Sequence, residues 1–344
     1  MKVFLLKSGK IIYSVVFCLL LTGCSFNWPP RAAAEAITLS GWLVYWDDQN
    51  GEKDLAKVKN RLKNLSFFAA YFDENDELFL PKQIVEQKEK IDKENIKYKK
   101  FLTIVNDQKG ADGKISLKDT DLLARLFADE ARMQKHIDEV IDLVKKNGYD
   151  GVEIDYERIW VNEKTGYAFS RFINKLAYQA IKADLKLRVI LEPGIPFNKT
   201  DFAKGPEYVV MLYNLYGTHS GPGPKADSRF IQRTINKMFS DLPETRAVAF
   251  STGGALWGSD DSKKFITQEE AEALCEKHKA ESEIDGASHA RHFQYEENGL
   301  RYTVWYADED TLNHWLRAAR LAGIEEVSIW RLGGNRNLNK LIER

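Results

Sequence analysis

The sequence predicts a (β/α)₈ barrel because short apolar segments alternate with amphipathic helical patterns along most of its 344 residues. Eight segments are strand-like: 41–46, 65–72, 99–105, 151–156, 187–193, 208–213, 246–252 and 326–332. Eight strands separated by helices are typical of this barrel. A doubly wound open sheet produces similar local patterns, but the sequence has no glycine-rich phosphate loop that would favour it.

Helical periodicity is clearest in two segments between the strands. In residues 132–148, Ile137, Val140 and Val144 recur on one face, and Gly148 is a typical residue at the end of a helix. Residues 167–184 carry a comparable apolar stripe. Both segments are therefore expected to cover the outside of the barrel.

The segment between the seventh and eighth strands is too long for a single helix. Residues 267–282 have a helical pattern, and residues 292–306 alternate around the pair Asn298-Gly299, which favours a β-hairpin. We therefore expect a small α+β insertion at about 253–307. It would belong to a single barrel domain spanning residues 39–344.

The N-terminus predicts export. Lys2, Lys7 and Lys10 precede an apolar run at 11–22, which has the length of a signal sequence and is short for a membrane span. The stretch LTGC at 21–24 resembles the bacterial lipobox, in which the cysteine becomes a lipidated N-terminus. We expect a signal peptide at 1–23, a tether at 24–38 carrying lipid on Cys24, and an extracytoplasmic, membrane-anchored location.

Charge and cysteine content narrow the function further. The formal net charge of −1 argues against nucleic-acid binding, which usually requires a basic surface. Apart from Cys18 and Cys24 near the N-terminus, the only cysteine is Cys275, so the fold has no disulfide framework. Cys275 lies in an amphipathic helical pattern and is interpreted as structural. The sequence leaves the oligomeric state open.

Carboxylates and apolar side chains alternate in residues 148–159, GYDGVEIDYERI. Side chains alternate between the two faces of a strand, so Glu153, Asp155 and Glu157 share one face. If this is the fourth barrel strand, the three carboxylates climb the interior toward the C-terminal mouth, where active sites of this fold lie. They cannot all ionise cheaply there, so at least one should hold a proton, as a general acid requires. The alternative is an acidic strand on a solvent-facing sheet.

Three motifs carry a family resemblance. YDGVEIDYE at 149–157 resembles the D-G-x-D-x-D-x-E signature of glycoside hydrolase family 18, the chitinase family, with Glu153 at a position where that family usually has Asp. MLYNLYG at 211–217 is similar to its M-x-Y-D motif, with Asn214 in the Asp position, and SIWRLGG at 328–334 is similar to its last strand. The resemblance spans roughly 40–335 and is strongest to bacterial cell-wall and spore-cortex hydrolases of the family.

The resemblance implies retaining hydrolysis of a β-linked N-acetylhexosamine glycan, with the substrate's acetamido group as the nucleophile. Glu157 would be the general acid, and Asp155 would hold the acetamido N–H while sharing a proton with Glu153. Tyr213 would hydrogen-bond the acetamido carbonyl. No metal or organic cofactor would be needed. The remaining motif positions would bind substrate (Met211, Asn214 and Trp330, the last as the floor of a sugar subsite) or be structural (Asp150 and Gly151).

Three further residues end predicted strands at the barrel mouth. Tyr45 and Trp46 follow the first strand and are candidates either for sugar binding or for plain core packing. Glu192 ends the fifth strand and is a candidate for substrate binding, although a salt bridge would serve equally well.

The sequence leaves alternatives for the function. The principal expectation is hydrolysis of N-acetylglucosamine-containing glycans, with peptidoglycan and chitin oligomers not distinguished. An endo-β-N-acetylglucosaminidase acting on N-glycans is an alternative, as is a barrel that binds carbohydrate without hydrolysing it. Because degenerate members of the family lose the acid at the Glu157 position, its presence here favours an enzyme.

Overall fold

The computed structural model describes residues 37–94, 97–243 and 246–341, and eight parallel strands within them close into a barrel. The strands are β1 (Thr38–Val44), β2 (Leu62–Phe72), β3 (Lys99–Lys109), β4 (Gly151–Asp155), β5 (Lys186–Leu191), β6 (Glu207–Met211), β7 (Arg246–Ser251) and β8 (Glu326–Trp330). Each strand pairs with the next, and β8 pairs with β1, for example at Val327 and Leu39. This closure confirms the predicted barrel and excludes the open sheet.

Eight helices accompany the strands in the described part of the chain. They are α1 (Asp48–Val58), α2 (Lys82–Asp92), α3 (Thr120–Leu126), α4 (Glu130–Lys146), α5 (Glu163–Lys182), α6 (Ser228–Asp241), α7 (Gln268–His278) and α8 (Glu309–Leu321). Helices α4 and α5 correspond to the two predicted from periodicity. Both begin at a polar cap: Asp129 accepts from the Arg132 N–H at 2.9 Å, and Asn162 accepts from the Lys164 N–H at 2.9 Å.

The outward face of β4 packs on helices α4 and α5. Val152, Ile154 and Tyr156 are buried in this layer, and burying an aliphatic side chain of this size contributes about 1.5–3 kcal/mol. The Tyr156 hydroxyl forms a 2.8 Å hydrogen bond with Nε2 of His136 from α4. Burial lowers the pKa of His136 to about 3, so the ring is neutral. The carboxylates between these residues therefore face the barrel interior.

Asp150 and Gly151 fix β4 between its two neighbours at the N-terminal end of the barrel. The Asp150 carboxylate accepts from the Lys100 N–H at 2.9 Å and from Lys99 Nζ at 2.8 Å. A β-carbon on Gly151 would lie 2.4 Å from the carbonyl oxygen of Lys186 and 2.6 Å from the ring of Phe101. Only glycine fits this close approach, so these two motif residues serve the packing of the strand.

A five-stranded antiparallel sheet and α7 lie between β7 and α8. The strands of this insertion are Gly253–Gly258, Lys263–Ile266, Glu283–Ile284, Arg291–Glu297 and Leu300–Ala307. Asn298 and Gly299 both have positive φ, at 54° and 78°, in the tight turn of the expected hairpin. The insertion packs its own apolar cluster, which includes the partly buried Cys275.

Helix α7 ends earlier than the helical pattern at 267–282 suggested. Lys279 adopts a left-handed conformation, with φ of 50°, and the N–H of Ala280 then bonds to the carbonyl of Cys275. This arrangement closes the helix at His278 because the left-handed residue turns the chain away from the helix axis.

The predicted signal peptide and Cys24 lie outside the described residues. Among the helices that the structure does describe, none is long and apolar enough to cross a membrane.

Candidate active site

Strand β4 carries the acidic residues into the interior and toward the C-terminal mouth. Glu153 is paired in register with Thr103 of β3 and Arg188 of β5. The strand ends at Asp155, and Glu157 follows two residues later. There, Asn106 holds the backbone of Glu157 on both sides: its Oδ1 accepts from the Glu157 N–H at 2.9 Å, and its Nδ2 donates to the Glu157 carbonyl at 3.1 Å. Asn106 of β3 thus fixes the backbone of Glu157 at the C-terminal end of the barrel.

Glu153 is completely buried and accepts hydrogen bonds from four side chains. The donors are Trp42 Nε1, Thr103 Oγ1 at 2.7 Å, Ser66 Oγ at 3.0 Å and Arg188 Nη1 at 2.5 Å. Both carboxylate oxygens are therefore engaged, and the guanidinium compensates their charge. This geometry differs from the expected sharing of a proton between Glu153 and Asp155, because donors from four other strands already occupy Glu153.

Arg188 connects Glu153 to the bottom of the barrel. Its side chain is 2% exposed, donates to Ser328 Oγ at 2.8 Å and pairs with Glu207 at 2.5 Å. Burial would raise the pKa of Glu207, but the Arg188 charge outweighs it, and the pKa is lowered to about 2. Sequence reasoning missed Arg188. Its signal was a single arginine within an apolar strand, which a barrel interior admits only with carboxylate partners.

Asp155 lies above Glu153 and is only 9% exposed. Its Oδ1 is buried, and no described residue forms a hydrogen bond with it. Burial raises the pKa of Asp155 well above its usual range, and the charges of Glu157 and Glu153 raise it further. Burial and the same carboxylates raise the pKa of Tyr213, which therefore stays a phenol and a donor. The mouth of the barrel thus combines a carboxyl of raised pKa with a neutral hydroxyl.

Glu157 forms an ion pair with Lys118, whose Nζ lies 2.5 Å from Oε2. Lys118 has a positive φ of 55°, and its N–H donates to Asp107 Oδ1 at 2.8 Å, which fixes the loop that carries it. Burial raises the pKa of Glu157, Lys118 opposes this rise, and the charge of Glu192 adds to it. Sequence reasoning missed Lys118 because nothing in its lysine-rich loop marks it as facing the acid.

Glu192 lies at the mouth beside this pair. Its carboxylate accepts from the N–H of Arg158 at 2.7 Å, and Arg158 has a positive φ of 59°. Glu192 thereby anchors the chain directly after Glu157. In the part of the chain that the structure describes, it forms no salt bridge.

Aromatic side chains adjoin the acidic residues. The Trp330 ring packs edge-on against Phe68 and Trp42, with ring centroids 4.7 and 5.8 Å apart. Trp46 is 54% exposed and meets the rings of Tyr45 and Phe68 edge-on. A large exposed ring beside a cleft is the kind of surface on which a sugar stacks.

A cavity of about 360 Å³ opens between the ends of β6, β7 and β8 and the insertion. The residues that line it include Trp46, Tyr213, Asn214, Lys225, Trp330 and Arg331. The pKa of the Tyr45 hydroxyl is raised, mainly by burial and also by the negative charge of Asp107. Met211, expected to bind substrate, is instead 2% exposed and packs in the interior with Trp42. Tyr213 and Trp330, which line the cavity, pack against the same apolar cluster.

Within residues 37–94, 97–243 and 246–341, no three His, Cys, Asp or Glu side chains converge to hold a metal ion.

A (β/α)₈ barrel with carboxyls at its mouth beside an aromatic cleft is an arrangement that glycoside hydrolases use. The family model described as glycosyl hydrolases family 18 matches residues 41–335. The chain belongs to that family, as the three sequence motifs indicated.

Individual proteins of known function or name are similar to the chain at low sequence identity. An uncharacterized glycosylase of Bacillus subtilis, YvbX, is 26% identical over 230 residues, which are 62% of this chain and 66% of that protein. The cortical fragment-lytic enzyme of Bacillus anthracis is 24% identical over 236 residues, 62% of this chain and 53% of that enzyme. The chain thus matches between about half and two thirds of the length of these relatives.

The fold is shared with a solved spore enzyme. The Bacillus cereus spore cortex-lytic enzyme SleL superposes with a TM-score of 0.75 at 17% identity, covering 90% of this chain and 74% of that structure. At this identity the likeness concerns the barrel alone.

Replacing Arg188 by Met should strongly destabilise the fold. The variant leaves Glu153 completely buried without its ion-pair partner and leaves Glu207 with only Lys63, at 4.0 Å. Removing one partner of a buried pair costs about 3–5 kcal/mol. Urea denaturation of the whole chain measures the loss. Arg301→Met is the matched control, because Arg301 is exposed on the insertion and its pairing with Glu296 is loose at 3.6 Å. A Glu153→Gln/Arg188→Met double variant should recover part of the loss, and wild-type stability in Arg188→Met would contradict the role of the pair.

Replacing Lys118 by Met should raise the pKa of Glu157. The ammonium favours ionised Glu157, so without it the acid form persists to higher pH. The alkaline limb of the kcat/KM profile should then move up by about one pH unit, since a close opposite charge typically shifts a carboxyl by this much or more. Lys114→Met is the control, because Lys114 lies in the same loop but pairs with Asp112. A downward shift would show that Lys118 does not act through its charge.

Proposed function

We propose that the chain hydrolyses β-linked glycans containing N-acetylglucosamine with retention of configuration. The observation that carries the proposal is the arrangement at the end of β4, where Asp155 and Glu157 both have raised pKa values directly beside Tyr213. A general acid needs a proton near the operating pH, and this environment supplies it. Family 18 membership supports the same chemistry.

Glu157 is the proposed general acid. It is 15% exposed at the mouth, and its backbone is fixed by Asn106. It would protonate the glycosidic oxygen as the bond to the leaving sugar breaks. The carboxylate that remains is stabilised by Lys118, and it then takes a proton from the incoming water. One residue therefore serves as acid in the first step and base in the second.

Asp155 and Tyr213 are proposed to position the substrate's acetamido group. The carbonyl oxygen of that group attacks the anomeric carbon and forms an oxazolinium ion. Asp155 has an unpartnered buried oxygen to accept the acetamido N–H, and the neutral Tyr213 hydroxyl donates to the carbonyl. An internal nucleophile held in this way gains an effective molarity of about 10⁵ M or more. Trp330 would form the floor on which the sugar stacks.

The relatives support two glycan classes. The Bacillus anthracis relative is by name a cortical fragment-lytic enzyme, which points to peptidoglycan. A class V chitinase from Nicotiana tobaccum, solved in complex with NAG4, shares the fold with a TM-score of 0.70, which points to chitin oligomers. Both substrates contain β-linked N-acetylglucosamine and fit the proposed chemistry.

The function is tested with Glu157→Gln. The amide cannot donate a proton to the leaving sugar, so kcat should fall by about 10²–10⁴-fold with the melting temperature little changed. Purified protein is assayed on chitin oligomers, peptidoglycan strands and N-glycans, with product masses and anomeric configuration measured. Glu163→Gln is the control, because Glu163 is an exposed residue at the start of α5.

The panel also separates the alternatives. Turnover restricted to N-glycans would identify an endo-β-N-acetylglucosaminidase. Binding of acetamido sugars without turnover by the wild-type chain would identify a carbohydrate-binding barrel. Wild-type turnover in Glu157→Gln would contradict the assignment of the acid.

We also propose that the protein is exported and anchored to the bacterial membrane through lipid on Cys24. The basic residues, apolar run and LTGC stretch at residues 2–24 support this proposal. Anchoring there would place the barrel next to cell-wall glycans.

Replacing Cys24 by Ala should abolish lipid attachment, because the thiol that carries the lipid is lost. Incorporation of radiolabelled fatty acid and recovery in the membrane fraction measure the effect. Cys275→Ala is the matched control and should keep its label, since Cys275 lies within the folded insertion. Absence of label from the wild-type protein would overturn the proposal.

A further inference from the structure

Lys225 is a cation in the wall of the cavity beside Trp330. It lies in the segment between β6 and α6, and its Nζ donates to Ser251 Oγ at 2.7 Å and to the Thr252 carbonyl at 3.2 Å. Both acceptors are neutral. Among the described residues, Lys225 has no carboxylate within ion-pair distance. An ammonium has three N–H donors, so one remains for a ligand in the cavity.

The surroundings of Lys225 disfavour its charge in the absence of a ligand. Burial lowers the pKa of Lys225 to about 7, and the nearby Arg331 charge contributes to the fall. The ring of Phe265 covers the ammonium, with its centroid 5.4 Å from Nζ. A partly buried charge with no carboxylate partner among the described residues is costly, and an anion from outside would reduce the cost.

The acidic groups around the cavity are already paired. Asp47 accepts from Arg331 Nη1 at 2.7 Å. Glu270 lines the cavity, but Lys264 lies 3.1 Å from one of its oxygens, and the Thr267 N–H caps the other at 2.8 Å. Lys225 is therefore the positive charge in this wall that still lacks a counter-ion.

A purely structural role explains only part of this geometry. Lys225 ties together Ser251 and Thr252 at the end of β7, but a neutral side chain with N–H donors could bond these neutral acceptors equally well. A lysine adds a charge that the protein itself does not use. The charge is accounted for if the ligand is an anion.

We propose that Lys225 binds a carboxylate carried by the glycan, so that the cavity is a subsite for an acidic amino sugar. The inference rests on the proposed glycosidase function and deepens it by naming the substrate class. Peptidoglycan fits, because each of its muramic acid units carries either a free lactyl carboxyl group or, joined to that group as an amide, a stem peptide with further carboxylates. Uncharged chitin does not supply this group.

The test measures binding to the full chain carrying Glu157→Gln, so that no substrate is consumed. Isothermal titration compares three probes: peptide-free glycan tetramers with free lactyl carboxylates, the same tetramers with those carboxyls reduced to alcohols, and chitotetraose. The acidic tetramer should bind at least about tenfold more tightly than its reduced form, as expected for a hydrogen bond to a charged group.

Further substitutions in the same background assign the preference to Lys225. With Lys225→Met, the ratio of affinities for the acidic and reduced tetramers should fall to about one. This ratio is the readout even if the substitution also changes the affinity for both tetramers. Lys225→Arg keeps a cation and should retain a preference above that of the Met variant. Lys263→Met is the control, because Lys263 is exposed and donates to the Ser220 carbonyl outside the cavity lining. Melting temperatures show that each variant is folded.

The outcomes separate the inference from the function on which it rests. Equal binding of acidic and reduced tetramers would overturn the anion subsite and leave the proposed function intact. A preference that survives Lys225→Met would overturn the role of Lys225. Failure to bind any of the three sugars would overturn the proposed function itself.

A fourth probe distinguishes the source of the carboxylate. Tetramers that retain their stem peptides have the lactyl carboxyl blocked as an amide. A Lys225-dependent gain with these probes alone would support a peptide carboxylate as the ligand. A gain confined to the peptide-free tetramer would support the lactyl group.

Discussion

The ion pair between Glu153 and Arg188 is the constraint on which the barrel interior depends. Each side chain is almost fully buried, and a buried charge is tolerated only when it is paired and hydrogen-bonded. The pair joins β4 to β5, and Glu153 recruits donors from the first three strands, among them Trp42. Trp42 in turn packs edge-on against Trp330. The floor of the cavity is therefore held by the same contacts that neutralise the charge.

The carboxylates of the barrel differ in how far neighbouring cations compensate their charge. Glu207 at the bottom is paired with Arg188 and has a low pKa. Asp155 has a raised pKa, and its Oδ1 has no hydrogen-bond partner among the described residues. Glu157 is intermediate, because burial raises its pKa while Lys118 opposes the rise. The two carboxyls at the mouth, where the substrate is proposed to bind, thus have raised pKa values. At the bottom, Glu326 lies beside Glu207, and burial and the Glu207 carboxylate raise the pKa of Glu326 to about 7.

The sequence predicted what depends on local periodicity and missed what depends on distant partners. Alternation along β4 is sufficient to place Glu153, Asp155 and Glu157 on the interior face. The role of Glu153 was not predictable, because its partner Arg188 lies 35 residues away in the chain and becomes a neighbour only when the strands pair. Lys118 was missed for the same reason: its loop reaches Glu157 only through the fold.

The contacts of Glu153 and the position of Asn214 explain the two departures from the family motif. Glu153 is one methylene longer than aspartate, and in this barrel its carboxylate is paired with Arg188 and not with Asp155. Asn214 lines the cavity that also contains Lys225 and Arg331. An aspartate there would add a negative charge to this wall and offset the ammonium of Lys225. An amide keeps the wall basic, and a basic wall is the condition under which a carboxylate on the substrate gains from binding there.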